Sequence, residues 1–401
     1  MALPQLPRVL LSIAVLLAAI VGGLYLQIRP LLLAGGLGRV IESVGNRNCS
    51  MVPELQACEK VVLHQPTGKI YLACSALETR VSWTPALNRL DATGVSGQDY
   101  VATYDPSTHG ITRLKLAGFN STRGIHVHGM DVVPSSVDPS LLYVYLVNHR
   151  PPAYGDAKKL GADSVIEVFK TRLGSDVLTH VQTYADQIII TPNDVVGSSD
   201  GNSFYFTNDH GLKTGLRRLV STLLLTPDSS VGFCHADQGC KYAITGLHSS
   251  NGITRGKSMN DTFYVADCGL GDVNVLERQW DNTLVLTEVI KTGTALDNLA
   301  LDDDGAVWVA GLSDAIGLLT KFSDLSYKVA SSAFRITINS GPSSFYGERY
   351  QVDKVFEDSG EIASGTTSVV YDSQRKRLFL HGIASPHLDF LFVSHRSGYI
   401  Y

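Results

Sequence analysis

Six short apolar strands recur along the chain, each with an aromatic at the same place: Tyr71 in Lys69–Ala73, Tyr143 in Leu142–Leu146, Tyr205 in Phe204–Thr207, Tyr264 in Thr262–Ala266, Trp308 in Ala306–Ala310 and Phe379 in Arg377–His381. Most follow a Gly, Asn, Asp or Pro cluster of the kind that closes a hairpin, such as Pro66-Thr67-Gly68, Asp200-Gly201-Asn202 and Asp303-Asp304-Gly305. From aromatic to aromatic the steps are 72, 62, 59, 44 and 71 residues, which suits a four-stranded blade plus variable loops. Six such units predict an all-β fold, a six-bladed β-propeller with its chemistry at the centre of the ring.

A polar residue precedes each aromatic by a similar interval. Glu59 stands 12 residues before, His128 15, Asn193 12, Asn251 13, Asn298 10 with Asp297 at 11, and Thr367 12. In a propeller the innermost strand of every blade lines a central channel, so residues in equivalent positions converge on one point. A Glu, an Asp and three Asn offer the hard oxygens that calcium takes, six to eight in its shell with water completing it. Asn and Asp also begin strands after turns for purely local reasons, but five in register favour a shared ligand.

The remaining composition fits one large all-β unit. The chain has 401 residues, 44% hydrophobic and 18% charged, with no low-complexity run and no Pro/Ser-rich linker. A net charge of −5 without Lys/Arg clusters speaks against nucleic acid as a partner. Val9–Leu26 is an almost unbroken apolar run of 18 residues, flanked by Arg8 and Arg29-Pro30, and no small-x-small cleavage site closes it. It reads as an N-terminal hydrophobic helix that serves as an uncleaved signal anchor and membrane partner. Residues 1–40 are then anchor and juxtamembrane segment and 41–401 the propeller, which is secreted if the leader is cleaved.

Sequons at Asn48, Asn120 and Asn260 place the propeller in the secretory lumen or outside the cell. Six cysteines fit that compartment. Cys234 and Cys240 close a short loop as a local disulfide. Cys74 and Cys268 end strands one and four and read as buried thiols, while Cys49 and Cys58 are unassigned. Two motifs are set aside. Gly197-Ser198-Ser199-Asp200-Gly201 matches a nucleophile elbow, but a strand follows it where a helix is required, so it is a hairpin turn. Asp302-Asp303-Asp304-Gly305 lacks the alternate spacing and closing Glu of a calcium loop and is also a turn.

In His126-Val127-His128-Gly129 period-two alternation puts two imidazoles on one face of a strand. His149 ends the next strand of that blade, in Leu146-Val147-Asn148-His149, and can approach His128 at the channel mouth. A neutral imidazole accepts a proton from water near pH 7, and a second one behind it holds the tautomer and passes the proton on.

Taken together these segments resemble the serum paraoxonase/arylesterase family of calcium-dependent lactonases, six-bladed propellers with a retained hydrophobic leader. The resemblance spans about Asn48 to Ala310 and rests on Cys58-Glu59, Val127-His128-Gly129-Met130, Val147-Asn148-His149, Pro192-Asn193-Asp194, Thr207-Asn208-Asp209-His210, Ser250-Asn251-Gly252-Ile253 and Leu296-Asp297-Asn298-Leu299. It implies that Glu59, Asn193, Asn251, Asp297 and Asn298 hold a catalytic calcium and that His128 is the general base, with His149 as its partner. It also implies that Asp194 and the carbonyl of Met130 belong to a second, structural calcium.

Three departures from the family pattern stand out. Lys60 follows Glu59 where the family has a second acid, which predicts that the second calcium is weak or absent, with the ammonium either neutralising Asp194 or pointing to solvent. The family's N-to-C-terminal disulfide would use Cys49, but no cysteine occurs after Cys268, so ring closure must rest on strand pairing. A histidine of the family's substrate pocket falls at about Leu312. The expected activity is hydrolysis of a small apolar carboxylic ester or lactone, calcium polarising the carbonyl and His128 with His149 activating water; Asp297 is the alternative base. Other readings are a non-catalytic, membrane-tethered propeller with a structural calcium, for which the histidine pair has no use, and a sugar-lactone hydrolase of the gluconolactonase type, against which the apolar leader speaks.

Overall fold

The computed structural model describes residues 5–95, 97–257 and 261–393. Six sheets account for almost all of its strands, antiparallel throughout except where Lys115–Ala117 joins Val177–Tyr184 in parallel at the outer edge of the second. In each, the strand carrying the sequence repeat is the second from the centre: Lys69–Cys74, Leu141–Arg150, Ser203–Asn208, Thr262–Asp267, Val307–Leu312 and Arg377–His381. The first and innermost strands are Cys58–His64, Val127–Pro134, Pro192–Gly197, Ser250–Arg255, Ala295–Leu301 and Ser368–Asp372. Each innermost strand packs on the next and the sixth packs on the first, so the sheets are blades around a closed channel.

The repeated aromatic has a structural reason. Tyr71, Tyr205, Tyr264, Trp308 and Phe379 each lie in the apolar cluster shared with the following blade, and half-buried Tyr143 packs against the cluster between blades two and three. Trp308 stacks on Tyr371 of blade six at 4.4 Å, and Tyr205 meets Phe263 of blade four at 4.6 Å. An aromatic at that point spans the gap between two twisted sheets, a contact worth about 0.5–1.5 kcal/mol beyond its buried area.

Closure is made by the chain's own N-terminal strand. Ser50–Val52 adds to the outer edge of blade six, pairing Ser50 with Phe390, Met51 with Asp389 and Val52 with Leu388. Cys49 just before it is free and packs at the interface of blades five and six, so strand pairing closes the ring, as the missing C-terminal cysteine predicts. The cysteines correct one expectation. Cys234–Cys240 forms, but Cys74 is bonded to Cys58 and only Cys268 and Cys49 are thiols. Cys58 starts the innermost strand of blade one, Cys74 ends the next, and antiparallel register sets them opposite each other.

The N-terminal helix Gln5–Ala34 contains a segment, Leu10–Ala34, long and apolar enough to cross a membrane, with mean hydropathy 2.2 and only its last residue, Ala34, buried. Its C-terminal end is tied to the propeller. Arg39 donates to Thr294 Oγ1 at 2.5 Å and to the Gly293 carbonyl at 2.6 Å, and Gln27 Nε2 donates to the Leu224 carbonyl at 3.0 Å. These partners lie in loops at the end of the ring where the innermost strands begin. Asn48 and Asn120 are exposed, and Asn260 lies outside the described residues. Ser198 sits in a hairpin turn closed by the Gly201 amide on its carbonyl, and Asp302 holds its turn by accepting from the amides of Asp304 and Ala306.

Candidate functional site

Five of the six innermost strands begin with a β-bulge, and the bulges fall on the residues in register. Pairing slips between Cys58 and Lys60, across Val127–Met130, and between Pro192 and Val195, Ser250 and Ile253, and Leu296 and Leu299. Glu59, His128, Asn193, Asn251, Asp297 and Asn298 are therefore the extra residues, which a bulge re-aims away from simple in-out alternation and here turns into the channel. The sixth strand pairs without a slip, and Thr367 directly precedes it. Two glycines let the bulged backbones touch: a Cβ on Gly129 would lie 2.3 Å from the Asn193 carbonyl oxygen, and one on Gly252 2.6 Å from Asn298 Cα.

Glu59, Asp297, Asn298 and Thr367 form one buried cluster. Glu59 accepts from Asn298 Nδ2 at 3.0 Å and from Thr367 Oγ1 at 2.7 Å, and Asn298 Nδ2 also donates to Asp297 Oδ1 at 3.3 Å. Burial pushes the Glu59 carboxyl up to about 7, against the opposing pull of Thr367, Arg80, Asn298 and Lys60. Burial and the neighbouring Glu59 push Asp297 well above the usual carboxylate range. The Oδ1 atoms of Asn193 and Asn251 are buried without a hydrogen-bond partner.

His128 lies against this cluster, its Nε2 3.9 Å from Glu59 Oε1, with both ring nitrogens buried and unpartnered. Burial, His149 and Arg80 lower it well below the ordinary histidine value, and burial lowers His149 to about 3, so both rings are neutral at pH 7. Their centroids are 5.1 Å apart at 60°, with no direct bond between them. His149 is fixed from behind by Ser164 Oγ on Nδ1 at 2.8 Å and by Trp83 Nε1, which donates to its carbonyl at 2.8 Å. His126 does not share the face of His128: it precedes the strand Val127–Pro134, and its Nε2 bonds back to the Arg123 carbonyl at 2.9 Å.

Residues 41–384 match the Arylesterase family model. The chain belongs to the arylesterase family. Serum paraoxonase/arylesterase 2 of Rattus norvegicus is 23% identical over 356 residues, 88% of this chain and 91% of that protein. The Homo sapiens protein of the same name is 26% identical over 262 residues, 65% of this chain and 66% of that protein. Among solved structures, a luciferin-regenerating enzyme superposes with a TM-score of 0.52 at 13% identity, covering 86% of this chain and 95% of that one, which shows a shared fold.

In this member of the arylesterase family Glu59, Asp297 and Asn298 meet directly, and with the buried, unpartnered amide oxygens of Asn193 and Asn251 they make a donor set whose chemistry suits a hard cation. Among the described residues no three His, Cys, Asp or Glu side chains form a metal-holding group, so any such site depends on the amides. Asn298 is the member already engaged, its oxygen facing Lys60 Nζ at 3.2 Å. At the second site the one acid, Asp194, carries the Lys60 ammonium on Oδ2 at 2.5 Å, while its Oδ1 is buried without a hydrogen-bond partner. Leu312 is core, packed with Leu318 and Phe322.

Sequence reasoning passed over four residues. Thr367, in register but assigned no role, is a direct hydrogen-bond donor to Glu59. Arg80, in the helix Leu77–Ser82, and Trp83, directly after it, belong to an insertion in blade one; Arg80 grips the Ala57 and Val127 carbonyls and Trp83 the carbonyl of His149. Ser164 pairs with His149 through strand register, the only signal that would have found it.

Proposed function

We propose that this chain hydrolyses carboxylic esters, lactones foremost, at the mouth of its channel, with a calcium ion held by Glu59, Asn193, Asn251 and Asp297. The observation that carries the reading is a buried, neutral imidazole with both nitrogens free, set against a cluster of oxygen donors whose amide members are unpartnered. A structural metal alone needs ligands but no base. When bound, calcium supplies Lewis acidity toward the ester carbonyl. His128 takes the proton of the attacking water. Its depressed pKa keeps it unprotonated, and thus competent, well into the acid range. His149, held by Ser164 and Trp83, packs beside His128 with ring centroids 5.1 Å apart, limits the orientations open to it and serves as the next proton acceptor. The acyl part of the substrate is expected to be apolar, in keeping with relatives named arylesterases and lactonases.

The leader makes the membrane the second partner. Residues 1–40 act as signal anchor and juxtamembrane segment. The exposed Leu216, Leu219 and Leu223 of the helix Leu216–Leu223, and Ile316 and Leu319 of Ala315–Lys321, flank the point where the anchor meets the ring. A bilayer covering these side chains places the channel mouth at the surface where apolar esters partition.

The test is an assay of the full chain in detergent micelles against an aliphatic lactone, an aryl ester and a phosphotriester, with His128→Gln alongside. The expected result is lactone and aryl ester turnover that falls about 10²–10⁴-fold in the variant, mainly in kcat. Near-normal turnover by His128→Gln with its metal content intact would refute the histidine as base.

A further inference from the structure

Below the ligand cluster the channel is crossed by a buried ammonium. Lys60 is 4% exposed although it lies only two residues beyond the start of an innermost strand. Its Nζ contacts three oxygens: Asp194 Oδ2 at 2.5 Å, Asn298 Oδ1 at 3.2 Å and the Leu299 carbonyl at 3.4 Å. Asp194 Oδ2 also accepts from the Ile253 amide at 3.0 Å. A carboxylate, an amide and a backbone carbonyl are the oxygen types a hard cation collects, here gathered from blades three and five around a charge delivered by blade one, with blade four bonded to the same carboxylate. Lys60 borders a cavity of about 170 Å³ lined by apolar side chains, Val61, Val195, Ile253 and Val370 among them, and by the polar Gln65, Asp131 and Thr254.

We propose that Lys60 is the second cation of this channel: a covalently tethered charge that fixes Asp194 and Asn298 and ties four blades together, so that the folded chain takes up no metal ion at Asp194. A divalent ion there would have to displace the ammonium from its carboxylate or sit against it at like charge. The pin has a cost in exchangeability and a gain in independence. A bound ion is lost to a chelator, whereas a lysine is not. It also holds Asn298 by its oxygen and leaves that residue's Nδ2 to orient Glu59 and Asp297, which makes Lys60 a positioning residue for the ligand cluster.

The expectation of a single calcium per chain rests on the calcium reading above; the pin itself does not. The full chain, its Lys60→Met and Lys60→Asp variants and the double variant Lys60→Met/Asp194→Asn are saturated with calcium, freed of excess ion, and compared by elemental analysis and thermal melting with and without chelator. Wild type is expected to carry one calcium. Lys60→Met strands a fully buried carboxylate and should melt about 5–10 °C lower, with most of the loss regained in the double variant. Lys60→Asp should carry one calcium more than wild type and melt higher with calcium than with chelator. Two calcium ions in wild type would overturn the proposal, as would a Lys60→Met melting point within about 1 °C of wild type, and the wild-type count stands even if a variant fails to fold. Wild type without calcium, together with a destabilised Lys60→Met, would retain the pin and overturn the calcium centre instead.

Discussion

At position 59 a carboxylate with 2% of its surface exposed is held between an amide and a hydroxyl, and those two neighbours decide how readily it ionises. Thr367 is the shorter contact at 2.7 Å and also accepts from the Ile383 amide at 3.1 Å, which fixes its hydroxyl. Thr367→Val keeps the shape and deletes the donor. A hydrogen bond to a charged group contributes about 1.5–3 kcal/mol, so calcium affinity measured by calorimetry should fall roughly 10–100-fold, with turnover recovering at saturating calcium. An unchanged affinity would mean that Glu59 is not a ligand. The register of polar residues was readable because five of the six blades repeat the same bulge, and the sequence carried that repeat as a nearly constant distance to an aromatic. The orientation of Lys60 was not readable. Simple alternation puts residues 59 and 60 on opposite faces, and only the bulge between Cys58 and Lys60 aims both inward.

Among elements, the seam between the last blade and the first is where the ring depends on few bonds. Three residue pairs join Ser50–Val52 to the sixth blade, and behind them His381 donates from Nε2 to the Leu55 carbonyl at 3.1 Å while its Nδ1 accepts from the Gly382 amide at 2.7 Å. Acceptance at Nδ1 requires the neutral ring, and burial lowers His381 to about 3. The unfolded chain protonates this histidine near 6.5, the folded chain only near 3. Its contribution is thus complete above about pH 6.5 and is lost on acidification through that window, at about 1.4 kcal/mol per pH unit. His381→Gln should therefore be less destabilising relative to wild type at pH 5 than at pH 7.5 in paired thermal melts; parallel curves would contradict the assignment. The blades themselves were legible in the spacing of turns and aromatics. The Cys58–Cys74 bridge was not, because it depends on antiparallel register between two strands of which only the second has a clear sequence signature.

For the molecule as a whole, the helix, the channel mouth and the apolar faces beside it share one end of the propeller, which gives the membrane reading a definite topology. With the anchor retained and the propeller lumenal, chain made in the presence of microsomes should resist carbonate extraction and show endoglycosidase-sensitive mass at Asn48 and Asn120, each lost in the Asn→Gln variant. Carbonate-resistant chain without glycans would put the propeller on the cytosolic side. The ring and its polar centre arise from a six-fold pattern that any long sequence window displays. What the insertion carrying Arg80 and Trp83 adds is contact across blades without periodicity, which no such pattern encodes.

Hydrolysis at the channel mouth is held to need the cation that Glu59, Asn193, Asn251 and Asp297 are placed to hold. Bound calcium and lactone turnover should be measured on the same samples of full chain as a chelator is titrated in and calcium is then returned. Turnover is expected to fall in proportion to the loss of a single ion per chain and to recover with it; full turnover by calcium-free chain would contradict that dependence.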